Sequence, residues 1–241
     1  MLYNLIGITL ILVIVLLISS LSQVGGADEI NHTARRNNKC DIKNQVSLQD
    51  PKTGIDYVIA FCDSTCEHGY PHTINETTIM IPESYPKDRL PTTIEHEKIH
   101  LLQRRHPELW EAWYKLLWSY TLQDSPPEGM PQRLLSRRRY NPDTNNKSFA
   151  SWKNRYWSIA VYRSASPSSL EEADTIWWDQ QTGTTSQNPP IEWTNFFGSQ
   201  PQDEHPHEMA AQMIANGVGN KNRCQELTTI YEKHFYRTDR G

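Results

Sequence analysis

His96-Glu97-Lys98-Ile99-His100 constrains this chain more than any other stretch. Two histidines four residues apart share a face only on a helix. Placed so, His96 and His100 can aim both imidazoles at one metal ion. Glu97 then stands beside them, where it can take a proton from water. The flanks agree with a helix from about Thr93 to Arg105. Pro91-Thr92-Thr93 offers turn and capping chemistry, and Ile94, Ile99, Leu101 and Leu102 form an apolar face. His106-Pro107 interrupts this helix, and Pro107 suits the start of a second one reaching Tyr120. Leu109, Trp110, Trp113, Leu116, Leu117 and Tyr120 are its apolar and aromatic positions.

Two histidines hold a catalytic metal poorly; three protein ligands and an open position are the usual arrangement. The chain offers two candidates for the third ligand. His106 lies six residues after His100, but it swings back only if the helix breaks at Gln103, where a left-handed turn is costly for a non-glycine residue. If the helix simply continues, His106 points elsewhere. Glu208 lies in the run Asp203 to Gln212 (DEHPHEMAAQ). There Pro206 suits a first helical position and puts Glu208 in the first turn of a helix that Gly217 closes after Asn216. Ala210 and Ala211 let that helix approach the first one closely. An acidic residue in a first turn is also favoured by the helix dipole, whatever its chemistry.

HEKIHLLQRRHPELW, followed far downstream by HPHEMAAQMIA, resembles the gluzincin type of zinc metallopeptidase, in which HExxH is completed by a distant glutamate on its own helix. The likeness covers residues 94–110 and 205–215. It implies an α+β zincin-like domain, with a small N-terminal β-sheet over the HExxH helix and a mostly helical C-terminal part. It also implies Zn2+ held by His96, His100 and Glu208, with Glu97 as general base in the hydrolysis of a peptide or protein substrate. The oxyanion of such a reaction needs a further donor, and Tyr140, Tyr156, Tyr162 and Arg139 are candidates. Many gluzincins orient a motif histidine with an acidic or hydroxyl residue four positions after the glutamate; Gln212 stands there instead. A competing reading is a membrane-anchored or secreted glycoprotein that keeps the fold as a binding or structural module without turnover. Glu97 speaks against it, because a purely structural zinc site has no use for a base.

At 241 residues and 28.0 kDa the chain holds one sizeable domain, or at most two small ones. A net charge of −4 and a pI near 6.1 give no electrostatic reason to expect nucleic acid as a partner. The one basic run, Arg133 to Arg139, reads as a solvated face. Leu5 to Leu21 is apolar and uncharged, and small residues follow near Gly25 to Ala27. Residues 1–26 are therefore a signal peptide or a membrane anchor through residues 5–21, close to the shortest span that crosses a bilayer. Either way the domain is expected on the lumenal or extracellular side. Residues 27–45 read as a linker and 46–241 as the zincin-like domain. Asn31, Asn75 and Asn146 head glycosylation acceptor triplets. Cys40, Cys62, Cys66 and Cys224 suit one or two disulfides, and Cys62 and Cys66 could instead join His68 or His72 in a second metal site. Extended signals fall at Val46 to Gln49, Tyr57 to Cys62, Thr77 to Ile81 and Tyr156 to Tyr162. The rest of Gln123 to Pro201 reads as loop that frames a cleft. Trp152, Trp157, Trp177, Trp178 and Trp193 are assigned to the core.

Overall fold

A computed structural model describes residues 40–199 and 201–237. The hydrophobic segment, most of the 27–45 stretch and Asn31 lie outside the described residues. Among those described, no helix is long and apolar enough to cross a membrane.

The architecture is mixed α+β, with two sheets and six α-helices among the described residues. The first sheet has the order β1-β2-β4-β3, from β1 (Ile42–Gln49), β2 (Asp56–Cys62), β3 (His72–Thr73) and β4 (Thr78–Pro82). β2 and β4 run parallel, and β1 and β3 flank them antiparallel. β1 begins at Ile42, inside the stretch expected to be linker. Its second half, Val46 to Gln49, carried an extended signal, but all eight residues are exposed, so no alternation of burial marked the first half. β3 has only two residues and carried no extended signal in the sequence.

α1 (Leu90–Arg105) carries the HEKIH run and lies between two cores. On one side Leu101 packs with Tyr57, Ile59, Ile79 and Ile81 of the first sheet. On the other, Ile99 and Leu102 join the large aromatic core with Trp110, Tyr114, Trp118 and Phe197. α1 starts at Leu90 without a side-chain cap; Thr93 instead meets the Tyr85 hydroxyl at 2.9 Å. α2 (Pro107–Trp118) is strongly amphipathic and stops at Ser119 in the left-handed region (φ 59°), so Tyr120 belongs to a strand rather than to this helix.

The stretch after Gln123 is a correction to the loop reading. β5 (Tyr120–Gln123), β6 (Phe149–Trp152), β7 (Tyr156–Tyr162), β8 (Ala173–Asp179) and β9 (Thr185–Ser186) form a five-stranded antiparallel meander. Only β7 showed in the sequence. β5 and β6 have four residues each and β9 two, too short for periodicity to register, while β8, as long as β7, shows no alternation of burial. α3 (Gln132–Leu135) interrupts the β5–β6 connection. Past β6, the segment 137–139 runs along β7: Arg139 N–H donates to the Ala160 carbonyl and Tyr162 N–H to the Arg137 carbonyl, both at 2.8 Å. The second sheet thereby delivers residues 139–143 to the first. All eight tryptophans are buried, so their number is accounted for by core.

The C-terminal part is helical: α4 (Ile191–Phe197), α5 (Pro206–Asn216) and α6 (Lys221–Phe235). α5 has the bounds read from the sequence, with Pro206 in its first turn and Gly217 at φ 66° as its stop. Ala210 and Ala211 are fully buried in the core that holds Ile99 and Leu102 of α1. α6 and α4 were not anticipated. Cys40 and Cys66 form the disulfide found here, while Cys62 and Cys224 are buried thiols. Because Cys66 is oxidised, the alternative of a second metal site at Cys62 and Cys66 is removed.

Candidate metal centre

α1 presents His96 and His100 one turn apart, and α5 brings Glu208 against them from its first turn. His96 Nε2 and His100 Nε2 are 3.0 Å apart. Glu208 Oε2 lies 3.3 Å from the first and 3.6 Å from the second. Ligand atoms about 2.0–2.1 Å from a tetrahedral centre stand about 3.3–3.4 Å apart, so this triangle fits a small ion such as zinc. The donor chemistry fits as well, two imidazole nitrogens and one carboxylate oxygen.

The charges ask for a cation at the same place. Burial works against protonating His100, but Glu208 and then Asp143 and Glu97 outweigh it and lift the imidazole to about 10. Burial likewise works against ionising Glu208, yet His100 and His96 hold its carboxyl well below the usual range. Glu97 is 4% exposed; burial, reinforced by Asp143, raises it well above an ordinary carboxylate. Its Oε2 has no hydrogen-bond partner among the described residues.

Two neutral carboxamides fix the ligands. Gln103 Nε2 donates to the Tyr114 hydroxyl and to the His207 carbonyl, both at 3.0 Å. Its Oε1 must therefore face His100 Nδ1 at 2.6 Å, and an oxygen there can only accept. The Nδ1 proton is thus placed, and Nε2 is left to face Glu208. Asn141 works in the same way. Its Oδ1 accepts from the Asp143 N–H at 2.9 Å, which turns Nδ2 toward Glu208 Oε1 at 2.9 Å. Glu208 then presents Oε2 to the histidines. Gln212, where the resemblance puts the orienting group, accepts instead from the Gln202 N–H at 2.7 Å.

The other polar residues near Glu208 have separate work. Asp203 accepts from the Trp177 indole at 2.6 Å, and Glu204 pairs with Arg139 at 3.0 Å. His205 caps α5 through Nδ1 while its Nε2–H donates to the Lys147 carbonyl. His207 donates Nδ1–H to the Asp143 carbonyl at 3.1 Å. Burial lowers both of these histidines, His205 to about 4, in keeping with neutral rings. His106 is exposed, with its ring 5.4 Å from that of Phe235, and it is not part of the triangle.

A cavity of about 340 Å³ opens onto the site, lined by His96, Glu97 and Glu208 together with Tyr70, His72 and Arg139 among others. Of the four proposed oxyanion donors, Arg139 alone lines it. Tyr156 belongs to a separate depression with Trp177 and Asp179, and Tyr162 is buried beside Leu170. Sequence reasoning gave Asn141 and Asp143 no role, met Gln103 only as an obstacle to a turn, and named His72 for a different metal site. The Asn141-Pro142-Asp143 run lay within the stretch read as loop, and its turn is the device that orients Asn141. Comparison of the chain with protein-family models, with curated proteins and with solved structures gave no match. The functional reading therefore rests on this geometry.

Proposed function

We propose that this protein is a zinc-dependent hydrolase of peptide bonds with a zincin-like, gluzincin-type site. The observation that carries the reading is the triangle of His96, His100 and Glu208 with the unpartnered, buried Glu97 carboxylate beside it. His96, His100 and Glu208 would hold the ion, His100 through Nε2. Zinc, when bound, supplies Lewis acidity that polarises a carbonyl and acidifies water toward neutral pH.

The remaining chemistry belongs to the chain. Glu97 accepts a proton from the attacking water and hands it to the leaving amine. A raised carboxyl pKa suits both halves of that transfer, because it narrows the gap to neutral pH. Gln103 and Asn141 keep the ligands from rotating during turnover. Arg139, paired with Glu204, places positive charge on the wall where an oxyanion would develop. A buried base whose Oε2 has no hydrogen-bond partner among the described residues is of no use to a structural ion, and this favours turnover over the binding-module alternative. The hydrophobic segment and the acceptor triplets put the domain on the lumenal or extracellular side, and both Asn75 and Asn146 are exposed.

Metal analysis with activity tests the reading. Purified wild type should carry one zinc per chain and cleave members of a peptide library. Glu208→Ala and His100→Ala should lose the metal, and His106→Ala should keep it. Glu97→Gln should keep zinc and lose turnover. Zinc retained by Glu208→Ala but lost by His106→Ala would refute the ligand set, and hydrolysis by Glu97→Gln would refute the base.

A further inference from the structure

β3 is the edge of the first sheet, and an open edge is a template on which a peptide can add as a further strand. Here the main-chain donors of that edge are taken. Tyr70 N–H donates to the Glu67 carbonyl at 3.0 Å, and the Tyr70 carbonyl accepts from His72 Nδ1–H at 3.1 Å. Pro71 has no N–H. Thr73 N–H donates to Asp143 Oδ1 at 3.0 Å, and the Thr73 carbonyl accepts from Arg104 Nη2 at 3.0 Å. A peptide arriving beside this strand finds no free main-chain donor on Tyr70, Pro71 or Thr73.

The His72 ring lies at the same place. It is 1% exposed and lines the same cavity as His96 and Glu97. A carbonyl can only accept, so the bond to Tyr70 places the ring proton on Nδ1, and the neutral ring keeps its lone pair on Nε2. No hydrogen bond reaches that atom among the described residues. Leaving a buried polar group unmatched is costly, so each such group calls for an explanation. His72 Nε2, Glu97 Oε2 and Arg139 Nε are three of them, and all three residues line this one cavity. A guest with polar groups would answer for all three.

We propose that His72 is a substrate-contacting residue whose Nε2 accepts a hydrogen bond from a substrate N–H. This rests on the peptidase reading of the cavity and adds the chemistry of recognition. The substrate is gripped by a side chain at an N–H, from either a peptide amide or an amino terminus, and does not extend the sheet.

The test uses the full chain carrying Glu97→Gln, supplied with zinc and labelled with ¹⁵N-histidine, so that substrates bind without turnover. The probes are trialanine and N-acetyl-trialanine amide at millimolar concentration. The expected result is a shift of the His72 Nε2 resonance, assigned by its absence from His72→Gln. Binding should weaken about tenfold in His72→Phe and return to within about threefold in His72→Gln, whose amide oxygen restores an acceptor. Zinc content should be equal in all three proteins. A response to trialanine alone places an amino terminus at His72, and a response to the acetylated probe places an amide there. Saturation with no change at His72 Nε2, equal affinity in His72→Phe, or loss of zinc in that variant alone overturns the proposal. Bound zinc with neither probe binding removes the peptide and this contact together. A parent without zinc removes the metal reading instead, and the His72 resonance still decides the contact.

Discussion

Replacing Gln103 by leucine removes the side chain that serves three buried groups at once. Its Oε1 accepts from His100 at 2.6 Å, and its Nε2 donates to Tyr114 and to the His207 carbonyl at 3.0 Å each. Gln103 is itself fully buried, so water does not take its place. Leucine preserves most of the volume and leaves His100 Nδ1–H, the Tyr114 hydroxyl and the His207 carbonyl unmatched. At about 1–2 kcal/mol each, the loss is on the order of 3–6 kcal/mol, a large part of the roughly 5–15 kcal/mol that holds a domain together. Zinc affinity should fall by about 10–100-fold as well, because nothing then fixes the His100 tautomer or ring angle. Gln103→Glu separates the two effects. A carboxylate still accepts from His100, so zinc affinity stays within about threefold, while its second oxygen faces the His207 carbonyl and stability falls. Urea unfolding and zinc titration against a chromogenic chelator read the two quantities independently. A leucine variant with the wild-type urea midpoint and wild-type zinc affinity would refute the argument.

Two further predictions follow from charges away from the cavity. Lys98, inside the HEKIH run, pairs with Asp50 at 2.5 Å and with Glu95 at 2.7 Å. Burial raises Asp50, but Lys98 and Thr53 outweigh it and hold the carboxyl below its ordinary value. Its stabilising contribution is therefore present above about pH 4 and lost as the pH falls through the lowered value. Unfolding free energies at pH 6 and pH 2.5 should differ less in Asp50→Asn than in wild type, and an equal acid loss would contradict the assignment. The second prediction concerns the thiols. Burial pushes Cys62 up to about 11 and raises Cys224, so neither should react with iodoacetamide in the native protein at pH 8, and both should react in urea. Mass spectrometry of alkylated peptides decides this.

The sequence announced what repeats along one element and hid what is assembled from several. His96 and His100 share a helix, and Pro206 and Gly217 mark the helix of Glu208, so these were legible from spacing and capping alone. The bounds of α5 agree to the residue with that reading, since Pro and Gly act through the local backbone. The second sheet was hidden because its strands are short and lie next to Pro and Asn turns that dominate the local composition. Asn188-Pro189-Pro190 read as a loop, yet Pro190 caps α4. α6 has apolar positions at helical spacing, Cys224, Leu227 and Tyr231, but they are diluted in a polar stretch. Gln103 could not be found in this way at all. Its role depends on Tyr114 from α2 and His207 from α5, and in sequence it was only the wrong residue for a turn. The same holds for His72, one histidine among nine until its neighbours are known.

The Cys40–Cys66 bond ties the chain ahead of β1 to the turn Cys66–Gly69, which carries Glu67 into the cavity wall. Glu67 and His68 sit there at φ 42° and 53°, a region that residues with a Cβ leave unless held. The crosslink spans 26 residues, worth roughly 3–4 kcal/mol by loop-closure entropy. The three metal-facing residues stand on α1 and α5, neither of which the crosslink joins. The triangle depends on the packing of these two helices, whereas the turn that carries Glu67 is also held by a bond that forms where thiols oxidise. Under the peptidase reading, a chain made where thiols stay reduced would have the triangle but not the crosslink that holds this part of the cavity wall.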